Sequence, residues 1–252
     1  MAGHSKWANI KHKKAKEDSK RGKVFTKLIR EITVSARLSG GDKGSNPRLR
    51  AAITTALSNN MAKDTIERAI NKGLGDEDSD NLEEIRYEGY GLSGVAFIVD
   101  CMTDNRNRTV AELRYSFTKA GGNLGTFGSV AYMFNKKGII SFDASQDKDL
   151  IMEVAFDSGA KDFLSYNNGA VDVIVNPNSV SEVNDALADK GFNSTSVEVI
   201  MDAYVTTNID DLEVAQKIIH MIDSLENLDD VQRVYTNVKF NENIIHKLNS
   251  CL

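Results

Sequence analysis

The residues best suited to chemistry are cations crowded at one end of the chain. Lys6, Lys11, Lys13, Lys14, Lys16, Lys20, Arg21 and Lys23 stand against only Glu17 and Asp18. Such a run follows phosphates, because each cation that neutralises a phosphate releases a condensed counterion. Trp7, the only tryptophan, sits inside the run, where its ring can stack on a base. The plainer alternative is a solvated tail whose Trp docks on the body. Few apolar residues are present, so residues 1–22 cannot fold alone and read as a flexible basic arm. His12 adds a polar contact within it. Lys27, Arg30, Arg48 and Arg50, on the outward faces of the helices that follow, extend the candidate nucleic-acid surface.

Other constellations carry less. Gly89-Tyr-Gly91-Leu-Ser-Gly94 matches a dinucleotide-binding glycine pattern, but a strand follows it, so no helix N-terminus can receive a pyrophosphate. Tyr87 to Phe97 could form an RNA-recognition strand with exposed aromatics, although its acidic surroundings would repel phosphate. His4 and His12 have no cysteine nearby and no zinc spacing. Cys101 and Cys251, the only cysteines, make neither a metal site nor a disulfide scaffold. His220, beside Ile218, Ile219 and Ile222, reads as a half-buried helical residue. Asp100, Asp104 and Asn105 could approach Mg²⁺, but a loop into a capped helix explains them more simply. No nucleophile, base and orienting partner assemble along the chain. The expectation is a protein that is not an enzyme and holds neither metal nor cofactor.

The elements that must position the basic residues follow from periodicity. A helix begins at Val24, with Phe25, Leu28, Ile29, Ile32 and Ala36 on one face, and Gly40-Gly41 stops it. Asn46-Pro47 starts a second helix carrying Leu49, Ala52, Ile53, Ala56 and Leu57. Asp64 and Glu67 form a capping-box pattern for a third, which carries Ile66, Ala69 and Ile70 and ends at Gly73. All three helices read as short. Residues 76–82 read as a linker. Beyond them the spacing predicts strands at 84–90 and 95–102, a helix from Thr109 to Ala120 with Thr109 and Glu112 as capping box, and a strand at 130–135. Residues 139–143, 148–157, 161–166, 171–175, 179–191 and 196–200 then spell βαββαβ, the ferredoxin-like order. A strand at 203–207, a helix at 210–225 and a strand at 231–238 complete the outer pieces. The expected fold class is α+β: a small three-helix domain with a basic arm, then two ferredoxin-like domains, one inserted in the other. The expected boundaries are 1–22 for the arm, 23–75 for the helical domain, 83–135 with 203–252 for a discontinuous domain, and 136–202 for the inserted one.

Overall composition conceals this division. The 252 residues are 41% hydrophobic and 27% charged, with a net charge of −5. Residues 1–75, however, hold 17 Lys and Arg against 6 Asp and Glu, a net of +11. Residues 76–252 hold 14 against 30, a net of −16. A basic module joined to an acidic one points to nucleic acid or an acidic membrane surface as partner. No apolar stretch is long enough for a membrane span, and Met1 to Trp7 lacks the apolar core of a secretory signal. A cytoplasmic location without membrane association is expected.

Ala2-Gly-His-Ser-Lys-Trp-Ala-Asn-Ile-Lys-His-Lys-Lys, with Arg21-Gly-Lys-Val-Phe-Thr-Lys, resembles the N-terminal signature of the YebC/PmpR family. The resemblance continues through Asn59-Asn-Met-Ala-Lys-Asp-Thr-Ile-Glu-Arg-Ala-Ile, Tyr87-Glu-Gly-Tyr-Gly and Thr103-Asp-Asn-Arg-Asn-Arg-Thr. Gly121-Gly-Asn-Leu-Gly-Thr-Phe-Gly-Ser-Val and Tyr132-Met-Phe complete it. Ala62 and Leu92 depart from the pattern, each standing where the family usually has Pro. The resemblance implies a three-domain cytoplasmic protein without catalytic activity, conventionally a DNA-binding transcriptional regulator. The family also includes a mitochondrial translational activator, so the resemblance equally implies a ribosome-associated factor that helps translation through stretches such as consecutive prolines.

The candidate partners are therefore DNA or ribosomal RNA, with the ribosome as a further possibility. Outward residues that are mainly Lys and Arg, with few Asn or Gln, suit phosphate contact better than base reading, which favours RNA. A third reading is an acidic body that senses a small ligand and regulates the arm. The sequence does not set the oligomeric state.

Overall fold

The computed structural model describes residues 17–75 and 82–250. In chain order the helices of the first part are α1 (Glu17–Ser39), α2 (Pro47–Ser58) and α3 (Lys63–Leu74). Next come β1 (Glu83–Tyr90), β2 (Ala96–Thr103), α4 (Arg106–Lys119), β3 (Asn123–Leu124) and β4 (Phe134–Phe142). Then follow α5 (Lys148–Asp157), β5 (Asp162–Ser165), β6 (Val171–Val175), α6 (Val180–Asp189) and β7 (Ser196–Ala203). The chain ends through β8 (Thr207–Ile209), α7 (Leu212–Glu226), β9 (Val231–Thr236), β10 (Val238–Phe240) and α8 (Glu242–Ser250). The class is α+β, with helices first and sheets after. Among the described residues two compact units form: 17–23, 82–135 and 202–250 in one, and 24–75 with 136–201 in the other.

In the unit that begins at Val24, the helices close around Ile32, Ala36, Leu49, Ala52, Ile53, Ala56, Met61, Ile66 and Ala69. Phe25, Leu28 and Ile29 pack against this core, as the 3.6-residue period requires. Asn46 joins two helices. Its Oδ1 accepts the Leu49 N–H at 3.0 Å, and its Nδ2 donates to the carbonyls of Ser35 and Gly40, each at 2.8 Å. The end of α1 and the start of α2 are thus satisfied by one buried amide. The sheet of this unit runs β5-β6-β4-β7. Counted within the segment, that order is second, third, first, fourth, the ferredoxin-like arrangement. Ile151 and Ala155 of α5 and Val183 and Leu187 of α6 cover it. Ala51 of α2 also packs on this core, so the helical bundle and the sheet share one unit.

In the other unit the sheet runs β3-β1-β2-β9. β1 and β2 pair antiparallel from Glu83↔Thr103 to Tyr90↔Ala96. Beneath them, α4 supplies Leu113 and Phe117 and α7 supplies Ile218, Met221 and Ile222. Phe97 and Phe117 meet edge to face, with centroids 5.8 Å apart. A short parallel pair, β8 with β10, lies in the same unit.

Several local expectations need correction. α1 starts at Glu17, not Val24, and it is 23 residues long, not short. Glu17 and Asp18 in its first turn suit the helix dipole, and Lys20, Arg21 and Lys23 are good helix formers. Residues 17–22, expected in the arm, are therefore helical. Asn105, not Thr109, caps α4, accepting the Arg108 N–H at 3.0 Å. Thr109 is instead buried inside the helix. Ala62 precedes α3 with no side-chain cap, so Asp64 lies in the first turn rather than at its cap. Residues 130–135 do not form a strand of their own: a 3₁₀ turn at Ala131–Met133 leads into β4. Residues 203–207 likewise bend between β7 and β8, where Asn237 Nδ2 donates to the Val205 carbonyl at 3.1 Å. His220, expected half-buried, is exposed.

Gly73 is not a helix stop. It is buried inside α3, and a Cβ there would lie 2.4 Å from the Thr33 carbonyl oxygen and 2.9 Å from the Ala36 Cβ. α1 and α3 approach through this hydrogen-only position. Gly73→Ala is expected to lower stability by about 1–3 kcal/mol through overpacking. Urea unfolding measures this, and an unchanged or raised midpoint would refute the close approach.

Candidate nucleic-acid interface

The basic residues are positioned mainly by α1. Lys20, Lys23, Lys27 and Arg30 recur at three- and four-residue steps, which places them on one side of the helix, opposite Leu28, Ile29, Ile32 and Ala36. From position 20 to position 30 this row covers about 15 Å of helix axis. Lys6, Trp7, Lys11, His12, Lys13, Lys14 and Lys16 lie outside the described residues. Lys20 and Arg21 fall in the early turns of α1. Lys23 is exposed, and Lys27 and Arg30 are half-buried.

Some of these cations already have structural work. The Lys23 ammonium donates to the Asn227 carbonyl at 2.9 Å and to its Oδ1 at 3.1 Å, within one unit. Asn227 caps the C-terminus of α7, where a cation also meets the negative end of the helix dipole. Arg48 holds Glu31 in a two-pronged pair, Nε to Oε1 at 2.7 Å and Nη2 to Oε2 at 3.2 Å. Arg50 donates to the Lys43 carbonyl at 2.9 Å and to Asp185 of α6 at 3.1 Å. The structure thus sets Lys23, Lys27 and Arg30 along one helix, while Arg48 and Arg50 sit on α2 with acidic partners.

The sheet-bearing part holds two buried carboxylates that spacing did not expose. Glu88 of β1 is 1% exposed. Its Oε1 accepts the Gly128 N–H at 2.8 Å, and its Oε2 accepts those of Val130 and Ala131 at 2.7 and 2.8 Å. It thereby holds a Gly-rich loop that presents Phe127 at 87% exposure. Asp230, just before β9, is 2% exposed. Its Oδ2 accepts from Arg108 Nη2 at 2.7 Å, from Thr109 Oγ1 at 2.9 Å and from Thr103 Oγ1 at 3.0 Å. Burial alone would raise the Asp230 carboxyl, but the Arg108 guanidinium and the threonine hydroxyls outweigh it and hold it below its ordinary 3.8. The clue in the sequence was Thr103 to Thr109 as a block, but its partner lies 127 positions away from Thr103.

The other candidates resolve as structural. Asp100 faces Arg86 across the hairpin, with Nε to Oδ1 at 2.7 Å and Nη2 to Oδ2 at 2.8 Å, and Asp104 pairs with Arg108. Cys101 is a buried core residue. Gly89 lies against Phe117 and Gly91 against Phe97, where any Cβ would fall within 2.6 Å of the ring. Their pattern therefore serves packing. Among the described residues no group of three or more His, Cys, Asp or Glu is placed to hold a metal. No described helix is long and apolar enough to cross a membrane.

Known proteins resemble this chain along most of its length. Residues 5–76 match the model of the TACO1/YebC protein N-terminal domain, and residues 82–238 match that of the TACO1/YebC second and third domain. A "Probable transcriptional regulatory protein" of Francisella philomiragia is 64% identical over 248 residues, covering 98% of this chain and all of the relative. One of the same description from Francisella tularensis strain SCHU S4 is 62% identical over the same length. A crystal structure of a conserved hypothetical protein, Aq1575, from Aquifex aeolicus superposes with a TM-score of 0.82 at 42% identity. That likeness covers 89% of this chain and 93% of the other.

The Asp230 network sets a pH dependence. Its folded-state pKa lies below the unfolded value, so the stability it provides is present above 3.8 and lost as pH falls through the lower folded value. Asp230→Asn is expected to cost about 1–3 kcal/mol at neutral pH, with the difference from the parent shrinking below about pH 4. Urea unfolding across pH checks this. A cost that stays constant into acid would show that the charge is not what the network uses.

Proposed function

The chain belongs to the TACO1/YebC family, and we propose that it regulates gene expression by binding nucleic acid, without catalysis, through its basic N-terminal module. The carrying observation is the cationic row on α1, which continues a run of five lysines between residues 6 and 16. In sequence, residues 1–75 thereby carry a net charge of +11 against −16 over the remainder. Phosphate is attracted to the first and repelled by the second, so the charge distribution orients the complex as well as driving it.

The names of the relatives point to transcription, and a reading in which the partner is DNA fits that. A second reading, ribosomal RNA as partner and translation as the regulated step, draws on the residues themselves. The row on α1 offers Lys and Arg, which suit phosphate, and no Asn or Gln for base edges. A track of that kind follows the backbone of a folded nucleic acid without reading its sequence.

Removal of residues 2–16 leaves α1 intact and takes away five lysines and Trp7. Nucleic-acid affinity should fall, and the slope of log affinity against log salt should flatten by about three to five. Affinity and slope that match the parent protein would sink the arm's role. Sedimentation of the full chain at several salt concentrations separates the two partners. Migration with ribosomal particles supports translation, whereas one DNA sequence preferred over random DNA by orders of magnitude supports transcription.

A further inference from the structure

The sheet-bearing part of the chain is acidic, yet one stretch of it is not. Residues 113–142 contain no Asp or Glu and carry Arg114, Lys119, Lys136 and Lys137. The large apolar side chains this stretch exposes are all aromatic: Tyr115 at 66%, Phe127 at 87% and Tyr132 at 61%. The Lys119 ammonium sits over the Tyr115 ring, 5.7 Å from its centroid. Tyr204, 60% exposed, donates its hydroxyl to the Tyr132 carbonyl and so lies beside it.

The loop that carries Phe127 is held from behind. The Glu88 carboxylate takes three of its backbone N–H groups, and the Glu88 carbonyl accepts the Gly125 N–H at 2.8 Å. The Tyr90 hydroxyl donates to the Ser129 carbonyl at 2.8 Å, and a turn closes from Ser129 N–H to the Thr126 carbonyl at 3.1 Å. Fixing a loop costs conformational entropy, and burying a carboxylate costs desolvation. Here both are spent on a segment whose tip, Phe127, touches almost nothing in its own chain. The order prepares a ring for something outside.

We propose that this loop is a stacking platform for unpaired nucleobases, with Phe127 as the stacking ring. The inference rests on the nucleic-acid reading above and adds a second contact of a different kind. Exposed rings on a stretch of chain that carries cations and no acids match single-stranded nucleic acid, in which each base has a free π-face and each linkage a negative charge. Duplex bases are already stacked and offer no such face. Arg114 and Lys119, both exposed on α4, supply positive potential near the loop's own stretch of chain.

The test uses the full chain, with fluorescein-labelled single-stranded RNA, single-stranded DNA and duplex DNA of mixed sequence, read by anisotropy across salt concentrations. Phe127→Ala should weaken single-strand binding about tenfold while leaving the salt slope and duplex binding unchanged. Phe127→Trp should restore it. Thermal unfolding of both variants should match the parent, because the side chain is exposed. A greater loss with RNA than with DNA, or the reverse, identifies the source of the bases. Single-strand affinities of Phe127→Ala equal to the parent's overturn the proposal. So does a loss confined to co-sedimentation with ribosomal particles at unchanged oligonucleotide affinity, which would assign the ring to a protein partner. A parent chain that binds no nucleic acid in any arm removes the underlying reading, and this inference with it.

Discussion

A carboxylate buried in a protein must have its lone pairs filled, and that requirement shapes the sheet-bearing part of this molecule. Glu88 and Asp230 meet it in different ways. Glu88 fills its oxygens with backbone N–H groups of a loop about forty residues away, so the charge becomes the loop's scaffold. Asp230 fills its own with Arg108 and two threonine hydroxyls, so that charge clamps the start of α4 and the end of β2 to the approach of β9. Removing Glu88 would take the shared acceptor from three loop N–H groups, whereas removing Asp230 would leave Arg108 with Asp104 alone and the Thr109 hydroxyl with the Asn105 carbonyl. The outer sheet therefore keeps two fixed points, one near each end of the β1–β2 hairpin, and what projects from it is correspondingly well defined.

That rigidity has a counterpart in the distribution of charge. The N-terminal module is basic and the remainder acidic, yet the cations are not uniform in role. Arg48 and Arg50 are drawn into pairs with Glu31 and Asp185, and Lys23 meets the end of α7. Such pairs contribute modestly to stability, and they leave those groups less available to an outside phosphate. The division between structural and available cations is set by neighbours, not by exposure. Lys23 shows this, since it is exposed and still engaged.

Sequence revealed what is local and periodic. α5 runs over the expected residues 148–157 because Asp147 caps it and an apolar stripe faces the sheet. The ferredoxin-like order of β4 to β7 follows from alternating periods of two and about 3.6. What failed was local chemistry with a distant competitor. Thr109 with Glu112 has the pattern of a capping box, but the Thr109 hydroxyl is taken by Asp230, and Asn105 caps instead. Residues 130–135 have the apolar content of a strand, but Glu88 takes the N–H groups of Val130 and Ala131. Gly73 ends its helix by pattern and serves a helix crossing in fact. Of the cationic row on α1, spacing showed Lys27 and Arg30 on the outward face, while Lys20 joins it because the helix begins at Glu17 and not at Val24. The aromatic loop was not legible, because the net charge of −16 over residues 76–252 averaged away the acid-free stretch inside it.

The two surfaces differ in physics, which matters more than their number. Attraction along α1 comes from counterion release, acts over a Debye length and weakens steeply with salt. A ring such as Phe127 contributes only on contact and is nearly indifferent to salt. An acidic remainder would defeat the first kind of contact if it were spread evenly. On the proposed reading, the absence of acids along residues 113–142 lets a chain bound at its basic module be met elsewhere by bases. Long-range charge would then govern whether nucleic acid approaches, and the aromatic loop which local state of it, paired or unpaired, is held.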